Sequence, residues 1–407
     1  MAEYKGMGYL KKLLTAKRTR VLMRYNYYDM KNGIKYLQTI IPGQFMWMAQ
    51  TMGWCGTAVD KLADRLAFRE FKNDNFDMNT IFRMNNPDIL PDSAILSALI
   101  SSCSFIYISK DETGFPRMQV IDGSHATGVI DPITNMLTEG YAVLKWNERQ
   151  EPITEAYFVA GRTEYYQGGK CIRVDTHKAP YALLVPIIYR PDAMRPFGHS
   201  RISRSCMNLM QGAMRTLLRS EVTAEFYSFP QKYATGLSQD LEMEKYRATI
   251  ATFLTFSKDD EGESPKLGQF NQQNMDPHIT QLKMFASLFA GETGLTMDDL
   301  GFVTDNPSSA EAIKASHENL RLVARKAQRT FGSGFLNAGY LAACVRDDFA
   351  YKRSEVYMTK PAWEPVFEPD AAMLSGIGDG VGKINQAIPG FIGSGNMQDL
   401  TGIQPEG

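Results

Sequence analysis

The stretch that decides the fold, residues 195–237, reads RPFGHSRISRSCMNLMQGAMRTLLRSEVTAEFYSFPQKYATGL. Apolar residues recur in it at three- and four-residue spacing while charged residues alternate around them, which is the pattern of an amphipathic helix. Ser200 is placed to cap the start of this helix, and Pro230 and Gly236 are placed to end it. A helix of ~28 residues would be ~42 Å long. Such a length predicts a strut that joins a β-rich first half to a helical second half.

The sequence before this strut predicts helices followed by short strands. Residues 9–28, 59–68 and 94–100 have apolar residues at helical spacing. Seven runs between residues 104 and 178 are short, rich in Val, Ile, Tyr and Phe, and separated by Gly, Pro and Asp, which predicts an antiparallel sheet. Residues 185–196 contain three prolines and are predicted to be a linker.

The basic residues of the opening helix have two interpretations. They could contact nucleic acid or a protein partner, or they could form the solvated face of a surface helix. No aromatic residues at regular spacing offer a platform on which bases could stack. The solvated face is therefore the favoured interpretation of Lys11, Lys12, Lys17, Arg18 and Arg20.

After the strut, residues 239–252 predict a short amphipathic helix, and residues 251–273 predict a strand, an acidic loop and a second strand ending at Phe270. Asp276 and Pro277 begin another helix, because aspartate caps free amides and proline suits the first helical position. We expect it to run to Gly291.

A last long helix is predicted over residues 310–345. Ser308 and Glu311 have the spacing of a capping box for its start. The run Gly332-Ser333-Gly334 is expected to kink it, because glycine disfavours helix. One further short helix is predicted at residues 381–387.

Length and composition indicate a multi-domain protein with reduced cysteines. The 407 residues exceed one ordinary core and predict two or three domains. No secretory leader or apolar span of membrane length is present, so neither secretion nor membrane crossing is expected. The five cysteines contain no C-x-x-C pair and are expected to be buried thiols: Cys55, Cys103, Cys171, Cys206 and Cys344.

The charge balance argues against tight DNA binding. Lys and Arg number 44 and Asp and Glu number 45, giving a formal charge of −1. Counterion release therefore cannot hold nucleic acid through a general basic field. The balance leaves open a channel through which DNA slides, since strong phosphate contacts would slow the DNA.

Motifs of catalysis and cofactor binding are missing. Gly168-Gly169-Lys170 lacks the first glycine of a phosphate loop and is better explained as a hairpin turn. No G-x-S-x-G motif occurs, and Asp298-Asp299 is more typical of surface charge than of an acid/base pair. A non-enzymatic protein without metal or cofactor is expected, since no two histidines pair at four-residue spacing among His125, His177, His199, His278 and His317.

An ordered set of segments resembles the portal proteins of tailed bacteriophages, the head-to-tail connector family. The strut segment at 198–236 is followed by LGQF at 267–270, QLKMFASLFAGETGLTMDDLG at 281–301 and NPSSAEAIKASHENL at 306–320. VDKLADRLAFREF at 59–71 fits upstream. Together these segments span nearly the whole chain.

The resemblance implies an α+β protomer with several named parts. The wing occupies residues 1–197 and combines N-terminal helices with an antiparallel β-rich part. The first stem helix is 198–228, the clip is 229–275 and the second, antiparallel stem helix is 276–300. The tunnel loop follows at 301–309, a long kinked wing helix with its return at 310–360, and a short crown or tail at 361–407.

The resemblance also implies three sets of site residues. The tunnel loop would touch DNA in the channel through Val303, Thr304, Asp305, Asn306 and Pro307. The clip tip would meet partner proteins through Lys258, Asp259, Asp260, Glu261 and Glu263. A basic stripe would either face the channel or, as arginine chemistry favours, pack against the next subunit through Arg321, Arg325 and Arg329.

The function implied is a cyclic homo-oligomer, a dodecamer, at one capsid vertex of the virion, assembled in the host bacterial cytoplasm. It would serve DNA packaging, head–tail joining and DNA ejection. Expected partners are terminase, the major capsid and scaffolding proteins, head-completion or adaptor proteins, and double-stranded DNA bound transiently and without sequence preference; no membrane is involved. Two alternatives remain: a packaging nuclease or NTPase, and a minor head or connector adaptor without a channel.

Overall fold

A computed structural model describes residues 4–34, 43–149, 151–228, 232–235, 266–269, 274–302, 317–367, 369 and 371–403. The chain divides into two compact units. Unit 1 comprises Met1–Asn32, Gly53–Met207 and Ala290–Gly407, and unit 2 comprises Gly33–Met52 and Asn208–Phe289. The fold is mixed α+β, as expected.

The described helices are α1 Met7–Tyr28, α2 Trp54–Ala63, α3 Met78–Arg83, α4 Ile89–Ser101, α5 Arg204–Ser228, α6 Asp276–Thr293, α7 Glu318–Arg346, α8 Ala371–Ala387 and α9 Ser394–Thr401. The strands are β1 Phe68–Lys72, β2 Cys103–Lys110, β3 Pro116–Ile121, β4 Ala126–Ile130, β5 Leu137–Trp146, β6 Pro152–Val159, β7 Arg162–Gln167, β8 Lys170–Thr176, β9 Leu184–Ile188, β10 Lys232–Thr235, β11 Lys266–Gln269 and β12 Lys360–Trp363.

All seven predicted strands between residues 104 and 178 are present, but they form two sheets instead of one. β4 to β8 make a five-stranded antiparallel meander in chain order. β2 and β3 belong to a three-stranded sheet with the order β3-β2-β9. Gly168 and Gly169, both at positive φ, form the predicted hairpin turn between β7 and β8.

The predicted linker at 185–196 is wrong at its start, because Leu184–Ile188 is strand β9. All five of its residues are buried, and it pairs antiparallel with β2. Pro186 lies opposite Phe105 in this ladder. Proline is tolerated here because β9 lies at the edge of its sheet. Five consecutive buried residues therefore override the helix-breaking and turn-forming signals of the prolines around them.

The interpretation of the basic residues of α1 as a solvated face is wrong for Lys11, Lys17 and Arg18, whereas Lys12 and Arg20 are exposed as expected. The Lys17 ammonium lies 5.2 Å from the centre of the Phe105 ring and 5.6 Å from that of Phe197, and burial lowers the pKa of Lys17. The Arg18 guanidinium lies 4.4 Å from the centre of the Trp146 ring. These cation–π contacts hold the basic side of α1 against the sheets of unit 1.

Two buried glutamates fix the N-terminal end of α1 on the five-stranded sheet. Glu139 on β5 accepts hydrogen bonds from the backbone amides of Lys5 at 2.8 Å and Gly6 at 3.0 Å, and from the Tyr157 hydroxyl at 2.8 Å. A carboxylate at this position satisfies free amides and complements the positive end of the helix dipole. On β6, Glu155 pairs with Lys11 at 2.8 Å.

Helix α7 is a single helical run through Gly332-Ser333-Gly334, and the kink expected there stays a prediction. A Cβ added at Gly332 would lie 2.6 Å from Cγ of Pro361, and one at Gly334 would lie 2.7 Å from Cδ1 of Ile187. The glycines therefore let two strands, β12 and β9, approach the helix closely. The predicted apolar side of this helix is confirmed at four buried positions, Leu320, Ala327, Phe331 and Phe335.

The C-terminal region is more structured than predicted. β12 pairs antiparallel with β1, so that Phe68 lies opposite Trp363 in a strand and not in the predicted helix. Two helices, α8 and α9, replace the single short helix expected. Asp399 on α9 accepts bonds from Lys72 at 2.5 Å and Arg69 at 3.1 Å, which joins the tail to β1.

The cysteine prediction holds at four of the five positions. Cys55, Cys103, Cys206 and Cys344 are free and buried, and burial raises the pKa of each thiol. Cys171 is exposed, because β8 lies at the edge of the meander and is solvated along most of its length.

In unit 2, the predicted second strand is confirmed as β11, which pairs antiparallel with β10. The predicted helix at 239–252 and the first predicted strand lie outside the described residues. So do Pro230 and Gly236, and the capping box of Ser308 and Glu311.

We predict that Gly332→Ala lowers the free energy of unfolding of unit 1 by about 1–3 kcal/mol, because the rigid Pro361 ring would have to move. Gly376→Ala in α8 is the matched control, since a Cβ there meets nothing within 4 Å. It should stabilise by about 0.5–1 kcal/mol through helix propensity. Urea denaturation followed by circular dichroism measures both changes, and equal shifts for the two variants would contradict the close-packing role.

A second prediction concerns the glutamate at the start of α1. Glu139→Gln should destabilise by about 1–3 kcal/mol, because an amide group would leave one of the buried donors without an acceptor. Tyr157→Phe removes one hydrogen bond to the same carboxylate and should cost only about 1 kcal/mol. Hydrogen exchange of the amides at residues 5–14 should accelerate in Glu139→Gln; unchanged exchange there would contradict the proposed anchoring.

Candidate ring interface

The strut helix α5 begins three residues later than predicted. Ser203 Oγ accepts a hydrogen bond from the amide of Cys206 at 3.1 Å, which is the geometry of an N-cap. The predicted cap, Ser200, instead donates to the carbonyl of Ile100 at 2.6 Å. It therefore fixes the segment before the helix to the end of α4.

A buried arginine precedes the start of α5. The Arg201 guanidinium is 7% exposed and donates through Nε to the carbonyl of Ala58 at 3.1 Å and through Nη2 to the carbonyl of Thr293. Its two carbonyl partners lie on α2 and at the end of α6. Within unit 1, Arg201 thus joins the segment that leads into α5 to the last residue of α6.

Helices α5 and α6 run antiparallel within unit 2, as predicted. A Cβ added at Gly212 would lie 2.7 Å from the Phe285 ring, so the helices approach closely there. One turn further along α5, Thr216 Oγ1 donates to Gln281 Oε1 at 2.9 Å. The sequence numbers of the paired residues rise on one helix and fall on the other, which is antiparallel order.

The inner faces of this helix pair are apolar and packed. Phe289 and Ala286 on α6 are fully buried, and α5 contributes four buried residues, Met210, Ala213, Met214 and Leu218. The residues Ile34, Met48, Ala49 and Val222 pack against Leu218. These contacts give unit 2 its own small core.

Apolar side chains also lie on the outside of α6. Ile279 is 51%, Met284 50% and Leu288 53% exposed. Met284 and Leu288 share one side of the helix, while Ile279 lies on another side, at about 100° of rotation per residue. Ile279 and Leu288 follow the apolar helical spacing of α6, yet neither is buried by the described part of the chain. The sequence did indicate an exposed apolar face, because the apolar residues occupy more of the circumference of α6 than one stripe does.

The basic stripe on α7 separates into paired and unpaired residues. The Arg321 guanidinium donates to both carboxylate oxygens of Glu318, at 2.7 and 2.6 Å. This fork raises the pKa of Arg321 and lowers that of Glu318. Arg325 and Arg329 are exposed and make no ion pair within the described part of the chain, and Leu322, 55% exposed, lies on their side of the helix.

The other predicted site residues lie outside the described residues. This applies to the tunnel-loop set and to the clip-tip set, namely Val303, Thr304, Asp305, Asn306, Pro307, Lys258, Asp259, Asp260, Glu261 and Glu263. Before the loop, Phe302 contacts the Trp54 ring edge-on, with centroids 6.4 Å apart. The Asp299 carboxylate accepts a hydrogen bond from the Thr296 amide at 3.0 Å, which caps this turn.

Neither metal chemistry nor a membrane span is apparent in these regions. Among the described residues, no group of His, Cys, Asp or Glu has the arrangement of a metal site. None of the helices in the described ranges combines the length and apolarity needed to cross a membrane.

Comparisons with known proteins give two related sequences. No protein-family model matches the chain. The chain is 24% identical over 341 residues to the portal protein of Mycobacterium phage L5, covering 78% of this chain and 69% of that protein. It is equally similar to the portal protein of Mycobacterium phage D29, covering 78% of this chain and 70% of that protein.

Solved structures of low sequence identity cover more of the chain. The neck of a native gene transfer agent particle, computed with C12 symmetry, matches with a TM-score of 0.44 and 13% identity, over 96% of this chain and 100% of that chain. The virion of a native gene transfer agent particle matches with a TM-score of 0.43 and 12% identity, over 96% and 99% of the two chains.

The two portal relatives agree with the ordered segments found in the sequence and with the mixed α+β fold. An enzyme of the packaging machinery is accordingly set aside. By sequence, this chain is a distant relative of two phage portal proteins, members of a non-enzymatic family.

Proposed function

We propose that this protein forms a closed ring around a DNA channel at one vertex of the capsid. The observation that carries the proposal is the exposed apolar surface of α6, formed by Ile279, Met284 and Leu288. Exposed apolar side chains grouped on one side of a helix, as Met284 and Leu288 are, mark an interaction site. Because these residues lie on different sides of one helix, they suit a subunit that has two neighbours.

A ring uses heterologous contacts, in which one side of a subunit meets a different side of the next. The antiparallel pair α5 and α6 would be the stem in this arrangement. On α7, Arg325 and Arg329 would meet an acidic surface of the adjacent subunit, since arginine is well suited to ion pairs at interfaces. We take the ring to have twelve subunits, as in the family resembled.

The channel role rests on the balanced charge and on the family. A formal charge of −1 suits transient, non-specific contact with the phosphate backbone. We assign the loop Val303, Thr304, Asp305, Asn306 and Pro307 to contact with the DNA. In this role the ring would admit DNA driven by the terminase, join head and tail, and release DNA at infection.

The acidic segment Lys258, Asp259, Asp260, Glu261 and Glu263 would be the clip tip. We assign to it the docking of head-completion or adaptor proteins. The wing would contact the major capsid and scaffolding proteins during assembly.

The alternative function is a minor head or connector adaptor without a channel. Native mass spectrometry with negative-stain class averages separates the two functions. The portal requires particles of about twelve times 45.7 kDa with a central hole wide enough for a duplex. A stable monomer at concentrations where rings should form would favour the adaptor.

The apolar surface of α6 provides a direct test. The double variant Met284→Glu and Leu288→Glu should abolish ring formation, because burying two charges without partners at an interface is strongly unfavourable. Ile133→Glu is the matched control, since Ile133 is an exposed apolar residue (89%) outside this surface. It should leave the ring intact in native mass spectra, and rings in the α6 variant would disprove this interface.

The arginines of α7 provide a second test. Reversing Arg325 and Arg329 to Glu should weaken the ring and shift its dissociation to lower salt, because both charges are exposed and unpaired within the described part of the protomer. Arg321→Gln should have little effect, since Arg321 already pairs with Glu318. Mass photometry across a salt series measures both; equal loss for the two variants would contradict an intersubunit role for Arg325 and Arg329.

A further inference from the structure

Unit 1 contains a pocket that the proposed portal function does not use. Its volume is about 320 Å³, at the lower end of the range for small-molecule sites. It lies where the end of β2 meets β7 and β8. Ile108, Leu183 and the Tyr165 ring give it apolar walls, and its polar lining includes Lys110, Asp111, Thr163, Arg173, Asp175 and His177.

Within the described part of the chain, two of the lining side chains are buried without an ordinary hydrogen-bond partner. Thr163 is 2% exposed and its hydroxyl has none. His177 is 9% exposed, and neither ring nitrogen makes a hydrogen bond of normal geometry, the backbone at Ala179 giving only a weak contact. Leaving such groups unsatisfied costs about 1–3 kcal/mol each, so they call for an explanation.

The acids around the pocket are already satisfied by other donors. Asp111 accepts bonds from Thr113, Phe115 and Arg117 at 2.6–2.9 Å. Asp175 accepts from Arg173 at 2.6 Å.

The remaining groups are donors. Among the described residues, the Lys110 ammonium pairs with Asp348 at 3.5 Å, in an exposed pair. Such pairs contribute little. The hydrogen-bonding capacity left for a ligand therefore includes that of Lys110, Thr163 and His177, all of which can donate.

We propose that this pocket binds a carboxylate. The carboxylate would accept from the Lys110 ammonium, the Thr163 hydroxyl and the His177 imidazole, while the carbon chain of the ligand would pack against Ile108 and Leu183. Charge-assisted bonds to a carboxylate are about twice as strong as neutral ones. Two sources share this chemistry: a free small organic acid and an acidic side chain of a partner polypeptide.

Binding is coupled to the protonation of His177. Burial, together with the charge of Lys110, lowers the pKa of His177 to about 4. A carboxylate beside the ring favours the imidazolium and raises that pKa, so binding takes up a proton and tightens as the pH falls from about 7 to about 5.5. The other charged or titratable groups around the ring are Lys110, Asp111, Tyr107, Tyr165, Arg173, Asp175, Lys178 and Asp348.

Isothermal titration calorimetry of the full-length protein with sodium glutarate tests the proposal. Glutaramide is the matched neutral probe, and a blocked tripeptide with a central Glu represents the polypeptide source. We expect saturable binding of glutarate or of the peptide, tighter at about pH 5.5 than at about pH 7, and none of glutaramide. Tighter binding of the peptide would indicate a polypeptide partner, and binding of glutarate alone a free acid.

Variants distinguish binding in the pocket from a general attraction of anions to surface cations. Lys110→Gln and Thr163→Val should each weaken binding by about tenfold, equivalent to about 1.4 kcal/mol. His177→Gln should remove the pH dependence. Lys178→Gln is the control, because Lys178 pairs with Asp348 at 3.0 Å but does not line the pocket. Absence of saturable carboxylate binding, equal binding of glutaramide, or equal loss in Lys178→Gln would overturn the proposal.

Discussion

The buried guanidinium of Arg201 is the contact on which the architecture most depends. The chain leaves unit 1 after Met207 and returns to it at Ala290. Arg201, just before the departure, donates to the carbonyl of Thr293, just after the return, and to Ala58 on α2. A planar guanidinium can serve two carbonyls in different directions, which a lysine ammonium does with less geometric definition. Without it, both carbonyls would lose a charged hydrogen-bond donor. Within unit 1, one side chain thus fixes both the segment before the chain leaves and the segment after it returns.

Within unit 2, a small residue lets two helices pack closely, and apolar residues on the outside of one of them remain exposed. Gly212 lets the Phe285 ring contact the backbone of α5, so the two helices pack closely and bury Ala286 and Phe289. A closely packed pair has little inner surface left to cover further apolar side chains. Met284 and Leu288 consequently remain outside. A closed ring covers such residues without lengthening the chain, which is why the family assignment and the exposed face support the same proposal.

The sequence predicts local elements well and long-range contacts poorly. The periodicity of α5 and the seven strand runs depend on neighbouring residues, and both were found. Strand β9 was missed because the prolines gave a local signal, whereas the burial that overrides it comes from β2 and α7. The glycines of α7 were interpreted as a kink site because the contact between Gly332 and Pro361 joins residues far apart in the chain and leaves no local signal in the sequence. For α6, apolar spacing identifies the helix but cannot say whether Leu288 is buried by its own chain or by another. The tunnel-loop and clip-tip assignments stay predictions, since those residues lie outside the described ranges.

Under the proposed channel function, the placement of cations explains how a protein with balanced charge could surround DNA without binding it tightly. Several cations that look available in the sequence are engaged inside the protomer. Lys17 lies against Phe105 and Phe197, and Arg18 lies over Trp146. Arg65 lies 4.1 Å from the centre of the Phe367 ring, and Arg201 is buried. Each such contact removes one cation from phosphate binding, and the electrostatic affinity for DNA falls as fewer phosphates are neutralised. Among the described residues of α7, Arg325 and Arg329 remain unpaired, at helical spacing next to an exposed leucine. An apolar residue flanked by cations suits a subunit contact better than a duplex, because DNA offers phosphates but little apolar surface. The same distribution of cations therefore favours weak contact with DNA and firm contact between subunits.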